Sequence, residues 1–502
     1  MSNTMTTAKR VIRVILAVIS SIVLIGAFAV LAVVDLPHVL VDAPGTSLAA
    51  DHDIVQQRLT AYCPARMRLS DSTDWGDSDY RASEGDLATT ATYAAFGSVY
   101  ASTASSFDVG SGDDVTLEAP ANAGREDAMV AKDADGVSRT LSTNLLQAGV
   151  GSGHAGVIAS HASDGDLRGI SAGTCTTPAV SQSFLLTATT TGVTQQLVIA
   201  NPSSKATGVT IAVTGSERSG RMGLATAGST TVEANAETTI DLSAAASGQN
   251  GLYVTVTSDA TPVAAVVRTL AADGLTPKGS DFAMPLERPS GTVAIPSVAE
   301  GDRTTLYLHA AKATRTRLSW MTDDGPVAIR TVKTDADRVD VIDLGAAPKG
   351  AHAILVEAGA KVSAMTKAVR AGASGQEDFA LLGAPAASAS TGTALPDGYD
   401  ADVVLANTGD ADSTAHVTVM DADGNAGDVH DVAVKAHAAV TMKASGSAVV
   451  VADADDTVVW GVRLTGAGLD TAKTAGLAAV TPTALAVREE NVASVENHGI
   501  VR

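Results

Sequence analysis

Leu197-Val-Ile-Ala-Asn201 decides the fold, because it returns as Leu306-Tyr-Leu-His-Ala310 and again as Val403-Val-Leu-Ala-Asn407. A second marker, Asp281-Phe-Ala283, comes back as Asp378-Phe-Ala380, and the steps from Leu306 to Val403 and from Asp281 to Asp378 are both 97 residues. A segment that keeps its apolar period while its polar residues change is held to a fold and not to a reaction. The pattern is that of a tandem array of small β domains.

Around Leu197 the alternation is clean. Phe184–Thr189, Gln196–Ala200, Val209–Val213, Thr230–Val232, Thr239–Leu242, Leu252–Val256 and Val263–Val267 are seven short runs divided by turn residues, the signature of an immunoglobulin-like sandwich. The next two units repeat the series, and in all three a basic residue, Arg268, Lys367 or Arg463, falls five positions after the valine that opens the last run. Such a cation at a strand exit points to pairing with a neighbouring carboxylate. Pro285–Pro296 and Gly383–Pro396 read as short linkers, so the domains are expected to follow one another like beads.

The expected class is all-β: one N-terminal transmembrane helix, then tandem immunoglobulin-like sandwiches. The expected organisation is a cytoplasmic N-terminus (1–13), a transmembrane signal anchor (14–34), a linker (35–50), an N-terminal β domain (51–180), three sandwich repeats (181–288, 289–385, 386–487) and a C-terminal tail (488–502). In that tail Glu489-Glu490 suggests a solvated or helical end.

Val14–Val34 is interrupted only by Ser20, Ser21 and Gly26 and is long enough to cross a bilayer of roughly 30 Å. Lys9, Arg10 and Arg13 precede it and Asp35 and Asp42 follow it, so the N-terminus is expected in the cytoplasm and the bulk of the chain outside. The competing reading is a cleaved signal peptide ending near Ser47-Leu48-Ala49. The two cysteines, Cys63 and Cys175, then lie where oxidation is favoured, and a disulfide is expected between them against the alternative of two separate thiols. The net charge is −21, and every acidic residue follows position 34. That balance repels phosphate backbones and argues against a nucleic-acid partner.

Few motifs carry chemistry. Gly151-Ser-Gly-His-Ala-Gly156 matches a dinucleotide-binding string but precedes a β run, so it reads as a glycine-rich hairpin or inter-domain loop. Asp133-Ala-Asp-Gly136, Asp164-Gly-Asp166, Thr322-Asp-Asp-Gly325, Asp421-Ala-Asp-Gly-Asn425 and Asp453-Ala-Asp-Asp456 offer oxygens suited to Ca²⁺, yet none completes a twelve-residue calcium loop, and Asp-Gly is a strong hairpin signal. His154 and His161 lack a zinc frame, Ser152 lacks a nucleophile elbow, and neither cysteine has a second ligand at metal spacing. No catalytic residue, metal or cofactor is expected. Trp320 and Trp460 fall inside strand runs and read as core. Trp75, Tyr80, Tyr93 and Tyr100 are the first-domain aromatics that could stack on a sugar, and Trp75 and Tyr80, in the polar stretch Asp74-Trp-Gly-Asp-Ser-Asp-Tyr80, are the candidates least explained by packing.

The N-terminal apolar segment, Cys63-Pro64, Cys175, the Leu197 to Pro202 strand end and the Ala/Asp/Gly-rich β repeats together resemble a family of large secreted or membrane-anchored actinobacterial proteins with no assigned activity. The second and third units depart from its Asn-Pro strand end, with Ala310-Ala311 and Asn407-Thr408. The resemblance implies export, anchoring and a disulfide in a Gram-positive envelope, and carries no catalytic residues. The expected function is a non-enzymatic, membrane-anchored extracytoplasmic envelope protein, acting as a scaffold or protein-interaction module. The alternative is a cell-wall glycan-binding protein. Expected partners are the membrane, through the N-terminal helix, and an envelope protein or wall polymer.

Overall fold

The computed structural model describes residues 18–23, 50–69, 82–107, 112–121, 123–124, 126–226, 228–453, 455–486 and 489–494. The chain divides into two compact units, residues 56–488 and a smaller one of residues 1–55 with 489–502. In the smaller unit residues 18–23 are helical, and Ala50–Val55 pairs antiparallel with Glu489–Ser494. The expected solvated or helical end at Glu489 is therefore a strand. Among the described residues no helix is long and apolar enough to cross a membrane, and most of the apolar segment 14–34 lies outside them.

Residues 56–488 form eight-strand sandwiches, four in all, with one strand order. In the second, one sheet pairs Ser181–Leu186, Leu252–Ser258, Thr207–Gly215 and Ser229–Val232, and the other pairs Ala236–Asp241, Val193–Asn201, Ala264–Asp273 and Thr276–Ala283. In order of sequence these are strands one, six, three, four and strands five, two, seven, eight. The same two orders recur in the first sandwich (strands from Arg58–Cys63 to Gly169–Thr174), the third (Ser290–Pro296 to Glu377–Gly383) and the fourth (Ser390–Ala394 to Ala478–Val480). The second and fourth each add a two-residue strand, Arg221–Met222 beside Thr207–Gly215 and Thr483–Ala484 beside Ser390–Ala394, and the third fuses two of its strands. Pro262 separates strands six and seven of the second sandwich, because proline has no ladder donor. In the third, strands six and seven run through Glu357-Ala-Gly-Ala-Lys361 without a break as the single strand Ala351–Ala371.

The recurrent apolar segment is the second strand of a sandwich, and its burial explains its composition. Thr207–Gly215 alternates between buried and partly exposed positions, as a strand with one covered face should. Leu197–Asn201 is buried at every position. Leu197 and Ile199 enter their own sandwich core, while Val198 and Ala200 pack with Tyr62 and Phe107 of the first sandwich. The relation is repeated around the molecule. Leu306 and Leu308 face inward and Tyr307 joins the core of the second sandwich; Val403 and Leu405 face inward and Ala406 packs on Met321 and Leu355 of the third. In the first sandwich Tyr93 and Ala95 face inward, and Ala94 and Phe96 share a core with Val417 and Val451 of the fourth.

Each sandwich thus leans on the one before it and the first leans on the fourth, which closes a ring. The bead-like arrangement is replaced because the sheet bearing strand two is apolar on both faces and needs a neighbour on each. Polar ties cross all four junctions: Tyr62 Oη donates to Glu237 at 2.9 Å, Tyr253 stacks on His309 at 3.8 Å, Arg463 pairs with Asp302, and His161 Nδ1 lies 3.0 Å from Tyr399 Oη. Cys63 and Cys175 form the disulfide, joining the end of the first strand to the exit of the eighth in the first sandwich.

Candidate functional site

Two places in the ring concentrate chemistry: its centre and the junction between its ends. At the centre the four eighth strands pack against one another. Asp281 and Asp378, the repeated acidic residues, are both fully buried there. Asp281 accepts hydrogen bonds from the N–H of Ala172 in the first sandwich at 3.1 Å and of Leu381 in the third at 2.7 Å. Asp378 accepts from Ile170 in the first and from Leu477 beside the fourth sandwich's eighth strand, each at 2.7 Å.

Burial raises the Asp281 carboxyl to about 8 against the lowering effect of its N–H donors. It raises Asp378 well above the usual range for the same reason, with Asp281 adding to the rise. Gly169 and Gly279 border Asp378 with φ of +121° and +99°, and a Cβ on either would sit 2.4 or 2.6 Å from its carboxyl group. These carboxyls are closed to solvent and tie sandwiches together through backbone donors, with both donors to Asp378 on Oδ2 and its buried Oδ1 without a partner among the described residues. Lys367 lies 4.1 Å over the Phe379 ring, and burial lowers its ammonium to about 8.

The junction of the first and fourth sandwiches opens into a cleft of about 990 Å³, the size of a ligand pocket. Loops of the first sandwich cover one side, and the outward sheet face of the fourth, with His416, Thr418 and Met420, forms the other. Tyr100 stands at the edge with 72% of its surface exposed. Its position is set by a bulge: Val99 pairs with Leu145 and Ala101 with Asn144, which leaves Tyr100 without a partner in the ladder. Bulges re-aim side chains in this way and are common beside binding sites. On the opposite wall the pairing of Ser413–Met420 with Ala426–Val434 shifts between Thr418 and Met420, next to the exposed Val429.

Asp127 closes the base of the junction. Its carboxylate accepts from Ala426 N–H of the fourth sandwich at 2.8 Å and Gly124 N–H at 2.6 Å, and these bonds hold it below the usual carboxylate range. His416 is paired at 2.6 Å with Asp431. Tyr100, Glu126 and Gln147 line the cleft beside them.

The residues singled out in the sequence fall elsewhere. Trp75 and Tyr80 lie outside the described residues. Trp320 and Trp460 are core, the latter donating from Nε1 to Thr391 Oγ1 at 2.6 Å. The glycine string enters the seventh strand, Gly153–Ala162. Its Gly156 is required by the disulfide, since a Cβ there would meet Cys175 Sγ at 2.3 Å. Asp133 and Asp135 both grip the buried Arg139. Asp421 caps its own turn through Asp423 and Asn425 N–H, and Asp453 holds Thr457 and Val458 N–H. Of the recurrent cations, Arg463 makes a two-pronged buried pair with Asp302 at 2.7 and 2.9 Å.

No curated protein matches the chain. Among solved structures it is similar to the major pilin from Streptococcus pyogenes, with 8% identity over 60% of this chain and 97% of that one at a TM-score of 0.13. It is also similar to Streptomyces avermitilis alpha-L-rhamnosidase complexed with L-rhamnose, with 12% identity over 72% of this chain and 54% of that one at a TM-score of 0.11; neither likeness bears on the fold. One family match spans the body of the ring, from the fifth strand of the first sandwich to beyond the fifth of the fourth. On that match, over residues 130–445, the chain belongs to the DUF5719 family of unknown function.

Proposed function

We propose that the chain is a non-enzymatic interaction module of an actinobacterial envelope, anchored by its N-terminal apolar segment and built from four copies of one immunoglobulin-like unit. The observation that carries this reading is the closed ring. Four sandwiches tied through buried carboxyls, a buried ion pair and shared cores make a stiff body, and a cleft of about 990 Å³ opens at one of its junctions. Asp281, Asp378 and Asp127 each hold a backbone N–H group of another sandwich, which favours a structural role for these three carboxyls. The Cys63–Cys175 disulfide suits an oxidising compartment. Glycan binding is the second role, favoured by the exposed Tyr100 ring at the cleft.

The test is to incubate the detergent-solubilised full-length chain with solubilised envelope proteins and with isolated wall polysaccharide. Retention of one component at near one-to-one stoichiometry, with no sugar released, is expected. Steady release of soluble sugar from the wall material would overturn the non-enzymatic assignment.

A further inference from the structure

We infer that the cleft between the first and fourth sandwiches binds an uncharged glycan chain, with Tyr100 as the platform for one sugar ring. The inference rests on the interaction-module reading and names the ligand class of its cleft. Three independent features converge on it.

The first is Tyr100 itself. A large aromatic at 72% exposure is unexplained by packing, and the bulge that leaves it out of the ladder turns it into the cleft. An aromatic face covers the apolar C–H face of a pyranose ring and keeps its hydroxyls free for polar partners. The second is the polar set around it. Glu126, Gln147, Ser98 and Thr418 line the same cleft, and they supply carboxylate, amide and hydroxyl groups that exchange hydrogen bonds with sugar hydroxyls. The third is charge. Glu126 and Asp127 are acidic, and among the described residues lining the cleft none is Lys or Arg. A phosphate- or uronate-bearing polymer would meet like charge at Glu126 and Asp127 and from a chain of net charge −21, whereas a neutral chain pays no such penalty.

The cleft is open along the junction, with walls from two sandwiches held by Asp127 to Ala426 N–H and by Ala128 N–H to the Gly424 carbonyl. That preformed geometry limits the ordering cost of binding.

The experiment is titration calorimetry of the full-length chain in detergent with pentasaccharides of glucose, mannose, galactose and arabinose. A phosphate-bearing wall polymer and a lysine-rich peptide serve as comparators. Millimolar or tighter binding of at least one neutral pentasaccharide is expected, with about tenfold or greater loss in Tyr100→Ala and near-full retention in Tyr100→Phe. Leu275→Ala, an exposed apolar residue of the second sandwich, should leave binding unchanged and the thermal midpoint of every variant should match wild type. No binding by any neutral sugar, preference for the peptide or the phosphate polymer, or sugar binding indifferent to Tyr100→Ala would each overturn the inference. If an envelope component is still captured by Tyr100→Ala while no sugar binds, the module reading stands and the glycan assignment alone falls.

Discussion

The N–H of Leu381 donates to the carboxyl of Asp281 at 2.7 Å, so a side chain of the second sandwich is satisfied by the backbone of the third, 100 residues further along. The other Asp281 oxygen takes Ala172 N–H of the first sandwich. One carboxyl therefore spans three domains, and Asp378 does the same from the third sandwich to the first and the C-terminal end of the fourth.

The ring's stability should carry the imprint of this group. The folded Asp281 carboxyl titrates at about 8 and the unfolded one at about 3.9, so unfolding releases a proton between those values. Its stabilising contribution is complete below about pH 4 and is lost as pH rises to about 8. The difference in urea midpoint between wild type and Asp281→Asn, at fixed ionic strength, should move against wild type across that window. A flat or opposite trend would show that Asp281 is ionised in the folded ring.

Gly169→Ala and Gly279→Ala should each destabilise the ring by about 2–4 kcal/mol, combining overpacking against Asp378 with a left-handed backbone that disfavours Cβ. Gly301→Ala shares a positive φ but meets nothing within 4 Å. It should cost only the backbone part, about 1–2 kcal/mol. Chemical denaturation of the three variants separates the two terms.

Arg463→Met alone should cost about 3–5 kcal/mol, since it strands Asp302 without its partner in a buried junction. Replacing both, Arg463→Met with Asp302→Leu, should recover much of that loss. A double variant no better than the single would mean that the Arg463 donation to the Ser297 carbonyl matters more than the ion pair.

Reduction of Cys63–Cys175, or its replacement by two serines, should lower stability by about 2–5 kcal/mol. The separation of 112 residues spans one whole sandwich. Limited proteolysis should therefore cut first within residues 56–175, and equal sensitivity in all four sandwiches would contradict this.

What the residues disclosed followed the range of the forces involved. The alternation in Thr207–Gly215 and the return of the Leu197 segment are local, and they made the all-β character legible. The spacing of Asp281 and Asp378 was legible as a repeat marker, but its role depends on donors 99 to 208 residues away, which no local pattern encodes. The continuous burial of Leu197–Asn201 was the available sign that a second face is covered. Tyr100 was legible as one of the first-domain aromatics able to stack on a sugar, but not its place at the cleft: a bulge arises from how two strands register, and Val99-Tyr-Ala101 looks like any other strand. The first sandwich's kinship with the others was masked by its two-residue fourth strand, Val115–Thr116, and by Gly156, which stands against Cys175 Sγ.

The donor at Ile170 and its acceptor at Asp378 are 208 residues apart. At a synthesis rate of about 5–20 residues per second, the N–H waits about 10–40 s for the carboxyl to exist. Once the second sandwich is made the first is covered on one side, and it stays bare on the other until the fourth, which follows Asp378, exists. Assembly is consequently last-come, and the fourth sandwich acts as the keystone: a chain truncated before it leaves Ala94 and Phe96 uncovered, and an apolar face in that state is open to wrong partners.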